Sequence, residues 1–285
     1  MPFASVNGVR LSYESVGEGV PLLFIHGGYG GAASTLAPQN HAIQTILPRD
    51  KVRTILYDRR NAGLSDYADA HYTMKTIAAD GLGLLDHLGI RRAIVVGTSA
   101  GGPPALEIAL SHPDRVIALC LPNTGANLAS LERPQGKTRL ELVQRSKAEG
   151  DRAVFEGRKA ELRIPAPSDS KDPAEVARQE KLKDALQSVS EDDLFRYSVG
   201  EIRNFEAYLG VDYRQRLSEL KMPVCIIHGT ADRVVPYAWG EALHKAIPQS
   251  EMYPIPDADH GILSYDGAAV ALRDWVGRVL QKVAA

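Results

Sequence analysis

The chain has 285 residues, 44% hydrophobic and 24% charged, a composition that excludes fibrous and disordered classes and is ample for a sizeable core. A formal net charge of −2 supplies no basic field for nucleic acid or an anionic membrane, so neither is expected as a partner. The two cysteines, Cys120 and Cys225, each lie inside an apolar run and read as small core residues, not as a disulfide or a zinc pair.

The opening stretch MPFASVNGVRLSYESVG lacks the basic region and continuous apolar segment of a secretory signal, and no later run approaches the roughly 18 apolar residues of a membrane span. A cytoplasmic location is therefore the expectation. Residues 3–17 alternate apolar and polar around Asn7-Gly8, two residues that tolerate positive φ, which predicts an antiparallel ribbon closed by a two-residue turn. Short apolar runs bounded by turn residues follow at 21–27, 52–58, 92–99, 115–122, 223–229 and 251–256, and these read as strands buried on both faces. Between them Ile77, Leu84, Leu85 and Leu88 share one face at 3.6 residues per turn. A closing helix near 264–281 carries Val270, Leu272, Trp275, Val276 and Leu280. The alternation predicts an α/β fold, a mostly parallel central sheet flanked by helices on both sides.

One interval breaks the rhythm. Between Pro122 and Pro223 no strand pattern occurs, and within 128–221 charged residues fill 36 of 94 positions against 32 of the other 191. So polar a segment cannot be a sheet core. It reads as a helical cap, residues 123–221, inserted into a core made of 1–122 and 222–285, with Phe155, Phe195, Tyr197, Phe205 and Tyr208 available for its apolar underside.

The strongest chemical signal is Gly97-Thr98-Ser99-Ala100-Gly101-Gly102, placed directly after the strand AIVVG and before a helical run. On a sharp strand-to-helix turn the serine takes a strained backbone conformation, and glycines two residues to either side let neighbouring backbone approach. Pro103 and Pro104 are compatible with the helix, because first-turn amides have no intrahelical acceptor. A serine hydroxyl needs a base, and the base needs a partner that fixes its tautomer. His260 follows the last predicted strand and Asp232 the strand before it; in a parallel sheet the carboxyl ends of the strands share one edge, so Ser99, Asp232 and His260 can meet there. Asp257 is a second candidate acid, though close to His260 along the chain. Gly27-Gly28-Tyr29-Gly30, after His26, offers backbone donors for an oxyanion, and Gly28 and Ala100 are assigned that role, with Gly27 or Tyr29 as substitutes. The same loop fits Gly28-x-Gly30-x-x-Ala33, a dinucleotide pattern that would use Asp58, but that reading leaves the serine motif unexplained. His26 and His228, each before a glycine at a strand end, read as structural. No histidine has metal-ligand spacing with an acidic partner, so neither a metal nor a cofactor is expected.

These residues together resemble the α/β-hydrolase superfamily, in a cap-bearing, serine esterase-like branch, across 1–122 and 222–285. Asp58-Arg59-Arg60-Asn61-Ala62-Gly63-Leu64-Ser65 is similar to the family's D-x-R-G-x-G-x-S loop, with Asn61 where glycine is usual, and DRVVP after Asp232 is also typical. The resemblance implies a serine hydrolase and, given Ser99, not the epoxide hydrolases or haloalkane dehalogenases that use aspartate. The expected activity is cleavage of a small, largely apolar carboxylic ester or lactone, a small-molecule substrate, with Tyr29 as a substrate contact. The alternatives are a C–C bond hydrolase, a proline iminopeptidase-like aminopeptidase, for which Tyr29 departs from the HGGPG pattern, and a ligand receptor on the same fold.

Overall fold

The computed structural model describes residues 1–30, 41–129, 134–164 and 173–284. Asn7 and Gly8 sit at φ +46° and +77°, so both central turn residues occupy the left-handed region and the turn closes β1 (Phe3–Val6) on β2 (Val9–Val16), with Val6 opposite Val9. The further strands are β3 (Val20–Ile25), β4 (Val52–Tyr57), β5 (Ala93–Gly97), β6 (Val116–Pro122), β7 (Val224–Gly229) and β8 (Ser250–Ile255). They form one sheet in the order β1-β2-β4-β3-β5-β6-β7-β8. β2 pairs antiparallel with β1 and β4, and every later pairing is parallel.

The helices among the described residues are α1 (His41–Ile46), α2 (Met74–His87), α3 (Gly102–Ser111), α4 (Pro134–Glu149), α5 (Asp151–Arg158), α6 (Pro173–Ser188), α7 (Glu191–Tyr208), α8 (Tyr237–Ala246) and α9 (Asp266–Ala284). Successive side chains of a strand point to opposite faces, so an unbroken apolar run serves a sheet covered on both sides. In β3, Leu23 and Ile25 join the core formed with Ile77, Leu84 and Leu85 of α2, Ile108 of α3 and Leu243 of α8. Leu22 and Phe24 face the other way, against Ile43 and Ile46 of α1 and Leu272, Trp275 and Val276 of α9. Val270, expected on that stripe, is 49% exposed, so the buried face of α9 is narrower than its apolar spacing suggests. Cys120 and Cys225 are free, buried and opposite one another on β6 and β7; burial pushes the Cys225 thiol up.

Between β6 and β7 the described residues form helices and turns and no strand. α4 and α5 pack against α7, whose start is capped by Ser190 accepting from the Asp193 amide at 3.1 Å. The five aromatic residues of this segment divide between two tasks. Phe155 forms a small separate core with Leu186 and Leu194, and Phe195 and Tyr197 pack on it; Phe205 and Tyr208, near the end of α7, belong instead to the core over the sheet. Only these two extend the sheet's apolar side. Among the described residues no helix is long and apolar enough to cross a membrane.

Candidate active site

The nucleophile turn is built by close backbone approach. Ser99 sits at φ +49°, a region an L-residue enters only when its surroundings hold it there. A Cβ on Gly97 would lie 2.3 Å from the Gly101 carbonyl oxygen, and one on Gly101 would lie 2.0 Å from the Ile25 carbonyl oxygen. Neither position can carry a side chain while β5, β3 and the start of the helical segment stay together. A single 3₁₀ turn, Ser99–Gly101, leads into α3 with Pro103 and Pro104 in its first turn.

Ser99, Asp232 and His260 meet at the carboxyl edge of the sheet. The Ser99 hydroxyl lies 2.9 Å from His260 Nε2, and His260 Nδ1 lies 2.8 Å from Asp232 Oδ2. Because a carboxylate oxygen accepts, Nδ1 carries the proton and Nε2 is left to accept from the hydroxyl. The other carboxylate oxygen, Oδ1, accepts from the Val234 and Val235 amides at 2.8 and 2.9 Å, which fixes the acid's plane. The Asp232 side chain is fully buried, while His260 keeps 27% of its surface exposed, so the base reaches toward solvent and the acid does not. Asp257 is exposed at φ +57°, and the imidazole's partner is Asp232.

Asn123, directly after β6, ties the two loops: its amide Nδ2 donates to the Asp259 carbonyl at 3.0 Å and its Oδ1 accepts from the Gly229 amide at 2.9 Å. His228, fully buried, donates from Nε2 to the Val235 carbonyl at 2.9 Å and stands 3.8 Å from Asp232 Oδ2, too far for a hydrogen bond. Burial lowers its pKa, so it supports the acid's turn as a neutral ring.

The candidate oxyanion donors are held through the carbonyls of their own peptide groups. A trans peptide is planar, with N–H and C=O pointing in opposite directions, so a bond to one fixes the aim of the other. Thr124 Oγ1 donates to the Ser99 carbonyl at 2.7 Å and thereby sets the Ala100 N–H. His26 Nδ1 donates to the Gly27 carbonyl at 2.7 Å and sets the Gly28 N–H. His26 Nε2 accepts from the Arg59 amide at 3.1 Å, which selects the Nδ1–H tautomer. Desolvation, with the Arg59 charge added, lowers the His26 pKa to about 3. The loop itself touches the nucleophile, since a Cβ on Gly27 would come within 3.0 Å of Ser99 Cβ. Tyr29 packs edge-on against Phe205 and Tyr208, with centroids at 5.2 and 4.9 Å, and Arg139 of α4 lies over its ring at 5.0 Å. Ala33, the last residue of the dinucleotide pattern, and Gly31 lie outside the described residues. Asp58 is turned into its own loop, where it accepts from the Leu64 amide at 2.9 Å.

His26 was expected to be structural, and it holds the peptide group of the candidate donor Gly28; Asn123 and Thr124 carried no motif of their own, Arg59 stood at a variable position of the Asp58–Ser65 loop, and Tyr208 was read only as part of an apolar underside. The available signal was position, because Asn123 and Thr124 stand immediately past the carboxyl end of β6, on the same edge as the three triad candidates. Among the described residues no cluster of side chains is suited to a metal ion.

Comparison with known proteins identifies the family of the fold. The family described as alpha/beta hydrolase fold matches residues 20–266. RutD of Cronobacter sakazakii, provisionally named a carbamate hydrolase, is 30% identical over 243 residues, 84% of this chain and 83% of that protein. Among solved structures, the enol-lactonase of Burkholderia xenovorans is 28% identical with a TM-score of 0.71, covering 98% of this chain and 100% of that one. A thermophilic esterase from Thermogutta terrifontis is 26% identical with a TM-score of 0.73, covering 98% and 99%.

Proposed function

The chain belongs to the α/β-hydrolase fold family, and from that premise we propose that it is a serine hydrolase that cleaves a small, largely apolar carboxylic ester or lactone through an acyl-enzyme. The observation that supports this most directly is the unbroken relay from the Ser99 hydroxyl to His260 and on to the buried Asp232 carboxylate. Ser99 Oγ attacks the carbonyl carbon as His260 Nε2 takes its proton. Asp232 holds the imidazole's orientation and stabilises the imidazolium that forms. The Gly28 and Ala100 amides receive the negative charge that develops on the carbonyl oxygen. His260 then protonates the leaving alcohol, and a water molecule, activated by the same ring, releases the acid.

The division into a core of 1–122 and 222–285 and a cap of 123–221 belongs to the same proposal, with Tyr29 as a substrate contact beneath the cap. Tyr29, partly buried and backed by the buried Phe205 and Tyr208, supplies an aromatic surface for an apolar acyl or alcohol group. The RutD and enol-lactonase likenesses put carbamates and lactones beside esters in the substrate panel. Burst labelling by a fluorophosphonate followed by steady turnover of a nitrophenyl ester series, both abolished in Ser99→Ala, is the expected result. Neither labelling nor turnover in the wild-type protein would instead favour a ligand receptor.

A further inference from the structure

A second hydrogen-bonded chain runs beneath the site, and acyl transfer as written above makes no use of it. The Arg59 guanidinium donates from Nη2 to the Gly28 carbonyl and from Nη1 to Tyr208 Oη, the latter at 2.7 Å; the Tyr208 hydroxyl in turn donates to the Ala100 carbonyl. The bridge therefore ends on the two residues assigned as oxyanion donors. Burial pushes the Tyr208 phenol up, so it keeps the proton it donates. Arg59 is fully buried, makes no ion pair with a carboxylate among the described residues, and its Nε has no partner there. A buried cation that meets no carboxylate among the described residues is costly to desolvate unless neutral oxygens take its hydrogen bonds. Its charge is met directly by the Gly28 carbonyl oxygen and the Tyr208 phenol oxygen, and through that phenol by the Ala100 carbonyl, beside the developing oxyanion where a positive potential favours the transition state.

We infer that Arg59 and Tyr208 are positioning residues of the oxyanion site, a strut that locks the Gly28 and Ala100 segments to one another and makes their geometry depend on α7 being seated. His26 and Thr124 hold the peptide group before each donor; Arg59 and Tyr208 hold the one after it. Each donor is thus fixed on both sides. Tyr208 is the last residue of α7, in the segment inserted between β6 and β7, so displacement of that helix would release the Ala100 carbonyl and the Arg59 fork together.

The inference rests on the acyl-transfer reading, and the experiment separates the two. Tyr208→Phe keeps the ring against Tyr29 and deletes both bonds. It should lower kcat and kcat/KM together by roughly ten- to a hundredfold, with KM within about threefold of wild type, since misplacing oxyanion donors affects chiefly the transition state. Affinity for a boronic acid, whose adduct with Ser99 is tetrahedral, should fall by the same factor, and the acid limb of the kcat pH profile should not move. Arg59→Lys keeps the buried charge but not the fork, and should show the same pattern more weakly. It also supplies the reading if Tyr208→Phe fails to fold. Tyr213→Phe, which removes an equally buried bond to Glu107 at 2.7 Å in the same segment, should leave kcat and boronate affinity unchanged. Folded Tyr208→Phe protein with wild-type kcat and boronate affinity overturns the strut, as does a rise in KM alone. Turnover surviving in Ser99→Ala would instead remove the reading beneath it.

Discussion

Acidification from pH 7 to pH 5 should remove about 2 kcal/mol of folding stability through one side chain, His26. Its ring lies between an acceptor, the Gly27 carbonyl at 2.7 Å, and a donor, the Arg59 amide at 3.1 Å, so only the neutral Nδ1–H form satisfies both. A second proton would put two donors face to face beside a buried guanidinium. The folded pKa is about 3, against 6.5 for an unperturbed histidine. Folding thus depresses the pKa of a base, and between those values the unfolded chain binds a proton that the folded one refuses. The stability is complete above about pH 6.5 and is lost progressively as the pH falls toward 3. The full displacement corresponds to about 4–5 kcal/mol, of which the interval from pH 7 to 5 contains about 2 kcal/mol. The assay is urea denaturation of wild type and His26→Asn at both pH values; asparagine can still donate to Gly27 but does not titrate. The stability gap between the two proteins should narrow by about 2 kcal/mol at pH 5. His228, also depressed by burial, is present in both and cancels. A gap that stays constant with pH would show that His26 is not held neutral, and the account of how Gly28 is aimed would fail with it.

Asp232→Asn should fold, because the amide oxygen can still accept from Val234 and Val235, but its nitrogen would face His260 Nδ1 and force the wrong tautomer. kcat should fall about 10⁴-fold, and a loss under tenfold in a nitrophenyl ester assay would remove Asp232 as the orienting acid. Gly101→Ala puts a methyl group 2.0 Å from the Ile25 carbonyl oxygen, and thermal unfolding should register roughly 1–3 kcal/mol of lost stability together with reduced fluorophosphonate labelling; an unshifted transition would mean the elbow is looser than its contacts imply. Asp80 takes a bidentate bond from Arg60 at 2.5 and 2.6 Å, and both side chains are buried. Asp80→Asn strands the guanidinium and should cost about 3–5 kcal/mol in a urea titration, whereas a near-neutral effect would show that water reaches the pair.

Much of this was readable from the sequence because the elements that carry it are local. Asn7-Gly8 needs only its own tolerance of positive φ to make a turn. Asn61 stands where the family pattern has glycine, and it sits at φ +58° with its side chain bonded both ways to Ala68, the left-handed conformation that asparagine tolerates. Ser99, Asp232 and His260 could be singled out because each stands within a few residues of the carboxyl end of a strand, after Gly97, Gly229 and Ile255, and a parallel sheet turns that placement into a shared edge. The aromatic residues between β6 and β7 were less legible. Phe155 and Phe205 look alike in a charged, helix-favouring sequence, and only packing assigns one to a separate small core and the other to the main one.

The residues that support the donors escaped notice for a different physical reason. A nucleophile elbow constrains its own backbone, so glycine recurs two residues to either side of the nucleophile, as Gly97 and Gly101 do around Ser99. A carbonyl oxygen accepts from any donor that reaches it, and imidazole, guanidinium, phenol and threonine hydroxyl each fill that role here. Such a requirement leaves no spacing and no fixed residue type in the sequence. It leaves a contact between Arg59, in the loop after β4, and Tyr208, 149 residues further along at the end of α7. On the proposed reading, the triad comes from the carboxyl edge of the sheet, whereas one of the groups that aim the oxyanion amides, Tyr208, comes from the end of α7. On that reading, a change at the end of α7, remote from Ser99 along the chain, slows the reaction without altering a triad side chain.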